Sequence, residues 1–350
     1  MKNFISIIIP CRNEEKYIER FLNSVIEQDY PKEKMEILVI DGTSNDRTRE
    51  IVKNYCQKYS FIKLLDNPDK FTPFGLNIGI KEAKGEIIAR MDAHAVYEKD
   101  YLSKCVRYLE EYKADNVGGI IKTLPGKDTI IAKAIAICLS HIFGAGNSYF
   151  RILGGNKVLP SETRNGSYFR IGLKEPQPVD TVFGGCWRKE IFDKISLFNE
   201  KMLRSQDLEF NLRLKESGGK ILLFPDIVSY YYSQSTLLGF LGHNFLDGTW
   251  ITYPLKFGVQ AFSWRHLVPL VFLISLVGSF LLSFLSTFFL FLFFFFLFFY
   301  ILVNLYVSFR ISKRQKDFRY FFIMPVVFSV RHFPYGLGSI WGIIKALVKR

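Results

Sequence analysis

The chain has 350 residues, 49% of them hydrophobic, with a mean hydropathy of +0.12 and a formal net charge of +13. That length holds one large domain or two modest ones and is ample for a core. Five scattered cysteines with no paired spacing argue against a zinc site or a disulfide framework and fit a reducing compartment. Many late positive charges flank apolar segments, which points to an anionic membrane surface and away from nucleic acid.

The opening Met1-Lys2-Asn3-Phe4 leads straight into an Ile-rich run, with no apolar stretch of signal-peptide length. The first domain is therefore expected in the cytoplasm. Phe4 to Pro10 is continuously apolar, as in a strand buried on both faces. Asn13 to Gln28 has helical spacing, with Tyr17, Ile18, Phe21, Leu22 and Val25 on one side. Met35 to Ile40 reads as a second buried strand ending at Asp41-Gly42. Ser44-Asn45-Asp46 reads as a cap before a helix over Arg47 to Tyr59. Phe61 to Leu65 is a third strand, Thr72 to Ala83 a helix and Glu86 to Met91 a fourth strand. This alternation predicts an α/β fold with a mostly parallel sheet and helices on both faces. Ligands in such sheets bind beyond the carboxyl ends of the strands. Asn13, Glu14, Asp41, Asp92 and His94 all follow strands.

The stretch SIIIPCRNEEKYIERFLNSVIEQDYPKEKMEILVIDGTSNDRT resembles the opening of the family-2 glycosyltransferases, which have the GT-A fold. GLNIGIKEAKGEIIARMDAHAVY, VDTVFGGCWRKEIF and LRSQDLEFNLRLKESGGKI follow in the family's order. The resemblance covers roughly the first 235 residues. MDAHA and the tail RHFPYGLGSIWG are most similar to succinoglycan-type (ExoA-like) glucosyltransferases.

The resemblance implies roles for individual residues. Pro10, Asn13 and Glu14 would line the donor pocket, although Glu14 equally suits a helix first turn. Asp41 would contact a uracil ring N–H or a ribose hydroxyl. A turn or cap aspartate is the plainer alternative. Asp92-Ala93-His94 stands where the family has Asp-X-Asp, which holds a divalent cation against the donor diphosphate. Oxygen ligands suit Mg²⁺ or Mn²⁺, and the imidazole of His94 tilts the choice toward Mn²⁺. Gly184 and Gly185 would let backbone approach the donor sugar, with Trp187 near the acceptor or in the core. Asp207 would be the base that deprotonates the acceptor hydroxyl, or else a helix cap. Glu209 and Arg213 would support it or pair as a surface salt bridge. Thr123 to Val179, glycine-rich and basic, shows little periodicity after Leu139 and reads as a substrate loop.

The last third has a different character. His266 to Phe309 contains no Asp, Glu, Lys or Arg. These roughly 44 residues suffice for two spans, with a turn at Ser283 to Thr287. Arg310, Lys313, Arg314, Lys316 and Arg319 follow and mark a cytoplasmic side. Four regions are expected: a cytoplasmic GT-A domain over 1–235, interfacial membrane helices over 236–265, a transmembrane hairpin over 266–310, and a basic cytoplasmic segment over 311–350. The last would carry an interfacial or partly inserted helix in Tyr320 to Arg350, an apolar run interrupted by Pro325, Arg331, His332 and Pro334.

The expected function is inverting transfer of a hexose from a UDP-sugar to a saccharide on a polyprenyl diphosphate, in bacterial polysaccharide synthesis. The partners are a UDP-hexose, a lipid-linked saccharide acceptor and membrane lipid, with no nucleic acid. The alternatives are a polyprenyl-phosphate glycosyltransferase and, from another class, an inactive membrane scaffold. Retention of Asp92 and Asp207 argues against the scaffold.

Overall fold

The computed structural model describes residues 3–154, 176–260 and 262–348. The chain divides into two compact units. One comprises Met1–Lys122 with Tyr149–Tyr232, the other Thr123–Ser148 with Ser233–Arg350.

The first unit opens with β1 (Ile5–Cys11), α1 (Ile18–Ile26), β2 (Met35–Asp41), α2 (Thr48–Lys58), β3 (Ile62–Asp66), α3 (Thr72–Glu82) and β4 (Ile87–Arg90). β5 (Ala95–Tyr97), α4 (Tyr101–Glu111) and β6 (Asn116–Leu124) follow. The chain then forms α5 (Ile130–Leu139) and α6 (Ile142–Ala145), both in the second unit. It completes the first unit with α7 (Tyr149–Ile152), β7 (Gln177–Pro178), β8 (Cys186–Arg188), α8 (Glu190–Ile195), α9 (Gln206–Glu216) and β9 (Ile221–Tyr232). Residues 155–175 of the expected substrate loop lie outside the described residues, and α5 occupies its start, ending at Leu139 where the periodicity fades.

Nine strands form one sheet in the order β3-β2-β1-β4-β8-β6-β9-β5, with β7 on β9. β1 to β4 pair in parallel. β8 runs antiparallel to both β4 and β6, and β9 antiparallel to β5 and β7. The sheet is therefore mixed, not mostly parallel. The parallel half is visible in sequence because each crossover carries a helix. The rest is not, because β8 has three residues and β9 pairs with strands distant in sequence.

Alternation within the strands builds a core on each face. Ile5, Ile7 and Ile9 join Phe21, Leu22 and Val25 of α1 and Leu102, Val106 and Leu109 of α4. Ile8, Leu38, Ile40 and Ile88 face the other way, onto Leu76 and Ile80 of α3, Phe192 of α8 and Phe210 and Leu214 of α9. The helix expected from Asn13 begins only at Ile18, and Tyr17 is exposed. Asn13 has φ 57°, which no helix accepts, and its segment is tied instead to the loop after β2.

The second unit continues with α10 (Leu237–Thr252), a 3₁₀ turn over Tyr253–Phe257, α11 (Trp264–Leu282), α12 (Thr287–Gln315) and α13 (Arg319–Val348). α11 and α12 are long and apolar enough to cross a membrane, with mean hydropathies of 1.9 and 2.7. The turn falls where the charge-free run placed it, and α12 carries the basic cluster on its last turns. Large apolar side chains such as Phe291, Phe298 and Leu302 stand exposed along α12.

α13 runs as one helix through both Pro325 and Pro334. Pro334 cannot donate to the carbonyl of Val330. Asn244 of α10 does so instead, through Nδ2 at 3.0 Å, and is itself fully buried. A polar side chain from a neighbouring helix thus satisfies the group that proline frees. At Gly338 and Gly248 the two helices approach so closely that a Cβ would stand 2.0 Å from the carbonyl oxygens of Phe245 and Tyr335.

Candidate active site

The carboxyl ends of β1, β2, β3 and β4 converge on a cleft of about 190 Å³ lined by Pro10, Glu14, Asn67, Arg90, Asp92 and His94, among others. At β2, Asp41 is fully buried. Its Oδ2 accepts from the Ser44 amide at 3.1 Å and from Arg49 Nη1 at 2.7 Å. Among the described residues its Oδ1 has no hydrogen-bond partner. The turn role and a free buried acceptor thus coexist in one side chain. Beside it, Asn67 donates Nδ2 to the Phe71 carbonyl and leaves a buried Oδ1 unsatisfied. Gly42 is required here, since a Cβ would stand 2.9 Å from the Lys70 carbonyl oxygen. The strand-end loops are cross-linked: Asn13 and Glu14 amides donate to Ser44 Oγ and Thr48 Oγ1 at 2.8 and 2.7 Å.

Asp92 follows β4. Its Oδ1 accepts from Arg90 Nε at 3.0 Å, and its amide donates to the Tyr97 hydroxyl at 2.8 Å. Arg90 Nη1 is buried without a partner. Arg90 lies in the fields of both Asp92 and Asp207, which overcome its burial and hold its charge more firmly than usual. His94 Nδ1 stands 3.5 Å from Glu14 Oε1, and its ring meets Tyr231 edge-on. Burial disfavours the imidazolium, but the hydrogen bond to Glu14 and the charge of Asp92 outweigh it and raise the ring's pKa.

Asp207 occupies the first turn of α9. The cap position belongs to Ser205, at φ 57°, and Asp207 Oδ1 accepts from the Leu208 amide at 3.0 Å. One turn on, buried Asn211 bonds Asn116 of β6 at 2.8 Å and Thr181 at 2.9 Å. Asn116 in turn accepts from the Cys186 amide of β8. This internal chain of amides pins α9 to the sheet and so fixes where Asp207 stands.

A family model, Glycosyl transferase family 2, matches residues 6–193, more than half of the chain. The chain belongs to glycosyl transferase family 2. A Methanococcus voltae protein is 34% identical over 246 residues, 68% of this chain and 70% of its own. Its name is dolichyl N-acetyl-alpha-D-glucosaminyl phosphate 3-beta-D-2,3-diacetamido-2,3-dideoxy-beta-D-glucuronosyltransferase. Succinoglycan biosynthesis protein ExoA of Rhizobium meliloti is 25% identical over 287 residues, 75% of this chain and 80% of its own. Among solved structures, a Pyrobaculum calidifontis mannosyltransferase in complex with GDP-Man and Mn²⁺ superposes with a TM-score of 0.53 at 18% identity. The superposition covers 72% of this chain and 63% of the mannosyltransferase, and it shows the shared fold.

The protein is thus a glycosyltransferase whose cleft gathers Pro10, Glu14, Asp92 and His94. The glycines before β8, Trp187 within it and the Glu209–Arg213 pair of α9 behave otherwise. Gly184 and Gly185 have φ of 67° and 116°, and what approaches them is protein: the Arg90 carbonyl and the Trp187 ring. Trp187 is 1% exposed and packs edge-on against Phe192, Phe198 and Phe210. This burial puts it in the core, with no face toward an acceptor. Glu209 and Arg213 pair at 2.6 Å, and Arg213 also donates to the carbonyls of Ile195 and Leu197. They brace the turn after α8, and Glu209 is buried, so the pair is not a surface bridge.

Sequence reasoning missed Arg90, Asn67 and the Asn116–Asn211 chain. The first two stand within two residues of a strand end, which was the available signal. The fit to a divalent cation is an open one. Among the described residues Asp92 Oδ2 and His94 Nε2 make no hydrogen bond. Among the described residues no group of three His, Cys, Asp or Glu forms a closed cage. One oxygen and one nitrogen suit a cation whose other ligands are a diphosphate and water.

Proposed function

We propose that this glycosyltransferase moves a hexose, with inversion, from a UDP-sugar to a saccharide carried on a polyprenyl diphosphate at the membrane, in assembly of a bacterial polysaccharide. The observation that carries this reading is the strand-end cleft, in which Asp92, paired with Arg90 at 3.0 Å, stands with Glu14, Asn67 and His94. Asp92 is a donor-side carboxylate, Asp207 stands ready on an anchored helix, and one buried guanidinium senses both.

The unsatisfied Oδ1 atoms of Asp41 and Asn67 suit the N–H and hydroxyl donors of a nucleoside. Asp207 takes the proton of the acceptor hydroxyl. The freed oxygen attacks the anomeric carbon from the face opposite the diphosphate. The bond from that carbon to the diphosphate oxygen breaks, and UDP leaves with the electron pair. An α-linked donor then gives a β-linked product. A divalent cation, Mn²⁺ or Mg²⁺, held by Asp92 and His94 would neutralise charge on the departing diphosphate.

Two features support a lipid-linked acceptor. The M. voltae relative is named for a dolichyl-phosphate-linked substrate, and this chain has two helices of spanning length. In this reading α11 and α12 cross the inner or plasma membrane, and the basic end of α12 lies on the cytoplasmic side with the sheet. A screen of labelled nucleotide sugars against membranes containing the protein, followed by solvent extraction of lipid, tests it. Label from a UDP-hexose in the lipid fraction supports the reading. Label only in water-soluble product, from every donor, rejects the lipid acceptor.

A further inference from the structure

α13 is an apolar helix with Arg331 and His332 near its middle. Charge inside an apolar bundle needs a partner. Arg331 is held firmly: Nε donates to the Gly144 carbonyl at 3.0 Å and Nη1 to Asn244 Oδ1, while the guanidinium stands 5.2 Å from the Tyr335 ring centre. Asn244 is itself fixed, because its Nδ2 is committed to Val330. The guanidinium is therefore oriented before any ligand arrives.

Its charge is not matched in contact. Asp247 Oδ2 lies 4.0 Å away, at the edge of ion-pair range, and also faces His243 Nε2 at 3.4 Å. Among the described residues Nη2 makes no hydrogen bond, and the side chain keeps 19% of its surface open. A second guanidinium is close. Arg265, in the first turn of α11, lies beside Gly146 of the same turn that Arg331 grips through Gly144. The Tyr335 hydroxyl lies in the combined field of Arg331, Asp247 and Arg265. The same helices expose large apolar side chains: Leu241 on α10, Trp264 on α11 and Leu337 on α13. Basic groups between helices with an apolar surround suit an anion attached to a hydrocarbon chain.

We propose that Arg331, with Arg265, binds the phosphate of a polyprenyl-linked substrate. This rests on the lipid-linked acceptor proposed above and adds the site that holds it. A free phosphate or a phospholipid headgroup offers the same oxygens, and the experiment separates the three.

Full-length protein in nanodiscs would be titrated with undecaprenyl phosphate, with phosphatidylglycerol and with inorganic phosphate, with no donor present. Undecaprenyl phosphate should bind at least about tenfold more tightly than phosphatidylglycerol. Arg331→Gln should lose about tenfold or more of that affinity, as expected for removal of a charged donor, and Arg331→Lys less. Should Arg331→Gln fail to fold, phenylglyoxal labelling of Arg331 in the wild type takes its place. Undecaprenyl phosphate should slow that labelling, and phosphatidylglycerol should not. Unchanged affinity in a folded Arg331→Gln, or unprotected Arg331, overturns the proposal. Equal affinity for phosphatidylglycerol or inorganic phosphate also overturns it, by making the site a general anion contact. Binding is read without transfer, so a lipid acceptor could fail while Arg331-dependent binding persists, and the reverse.

Discussion

Arg90 and Asp92 form an ion pair with Nε 3.0 Å from Oδ1, and solvent reaches only 10% and 12% of the two side chains. Water screens such a pair little, so removing one partner leaves the other exposed to a low dielectric. Arg90→Met should therefore lower donor affinity by about tenfold or more and reduce the melting temperature. Isothermal titration with UDP and a thermal melt check this. A variant with wild-type UDP affinity would show that Arg90 serves folding alone.

Asp207→Asn should abolish transfer and leave UDP binding nearly intact. A general base supplies roughly 10²–10⁴-fold. The substitution is mild, since among the described residues the carboxylate accepts one hydrogen bond, from the next amide. Initial rates on lipid acceptor decide it, and retention of more than about a tenth of the wild-type rate removes Asp207 from the role.

Asp41→Asn separates the turn from the nucleotide. Arg49 keeps its second carboxylate, Asp66, at 2.6 Å, so the fold should lose only about 1 kcal/mol. UDP affinity should fall about tenfold, because the amide presents donors where the nucleoside also presents them. An unchanged dissociation constant would falsify the assignment.

How much of this was legible follows from the range of each interaction. Asp41, Asp92 and Asp207 could be picked out by resemblance to the family's motifs, which are short and local and set each at a strand end or a helix start. Ile5, Ile7, Ile9 against Ile8 could be assigned to a strand buried on both faces. Trp187 could not be placed, because its neighbours Phe198 and Phe210 come from later segments. Arg90 reads as one more residue of a buried strand until folding brings the charge of Asp207, far along the chain, to bear on it. Asn116 and Asn211 are separated by 95 residues and have no signal in either local pattern.

Glu36 gives a pH test away from the cleft. Burial raises its pKa, but the Lys84 amide, the Ser6 hydroxyl and Lys63 outweigh that and leave it below the usual 4.5. A depressed carboxyl stabilises the fold above its unfolded value and loses that contribution as pH falls through the folded one. Stability should therefore drop as pH goes below about 4.5, and Glu36→Gln should flatten that part of the profile. The variant should be about 1–3 kcal/mol less stable at pH 7. Urea melts across pH 3 to 7 measure both. Parallel profiles for the two proteins would discount Glu36.

A cut after Ser235 should not yield a well-behaved soluble enzyme. It strands α5, whose Ala134, Ile135 and Cys138 are fully buried with Phe240 and Phe328. The fragment should aggregate. Replacing 123–148 by a short Gly/Ser linker in the same fragment should restore solubility and UDP binding. Size-exclusion chromatography reads the first outcome and calorimetry the second. A monodisperse simple truncation would count against the division of the chain into these two units.

The path of the chain through α5 also bears on how the protein is made. The ribosome releases α5 about 100 residues before α10, an interval of roughly five to twenty seconds at ordinary rates of synthesis. The helix emerges with its apolar face complete and its partners not yet in existence. Until then a chaperone or the bilayer surface must shelter it. The same interleaving constrains inheritance. A single crossover that exchanged the C-terminal anchor between two such enzymes would join new helices to an old α5. Anchors in this architecture can be traded only as two matched pieces.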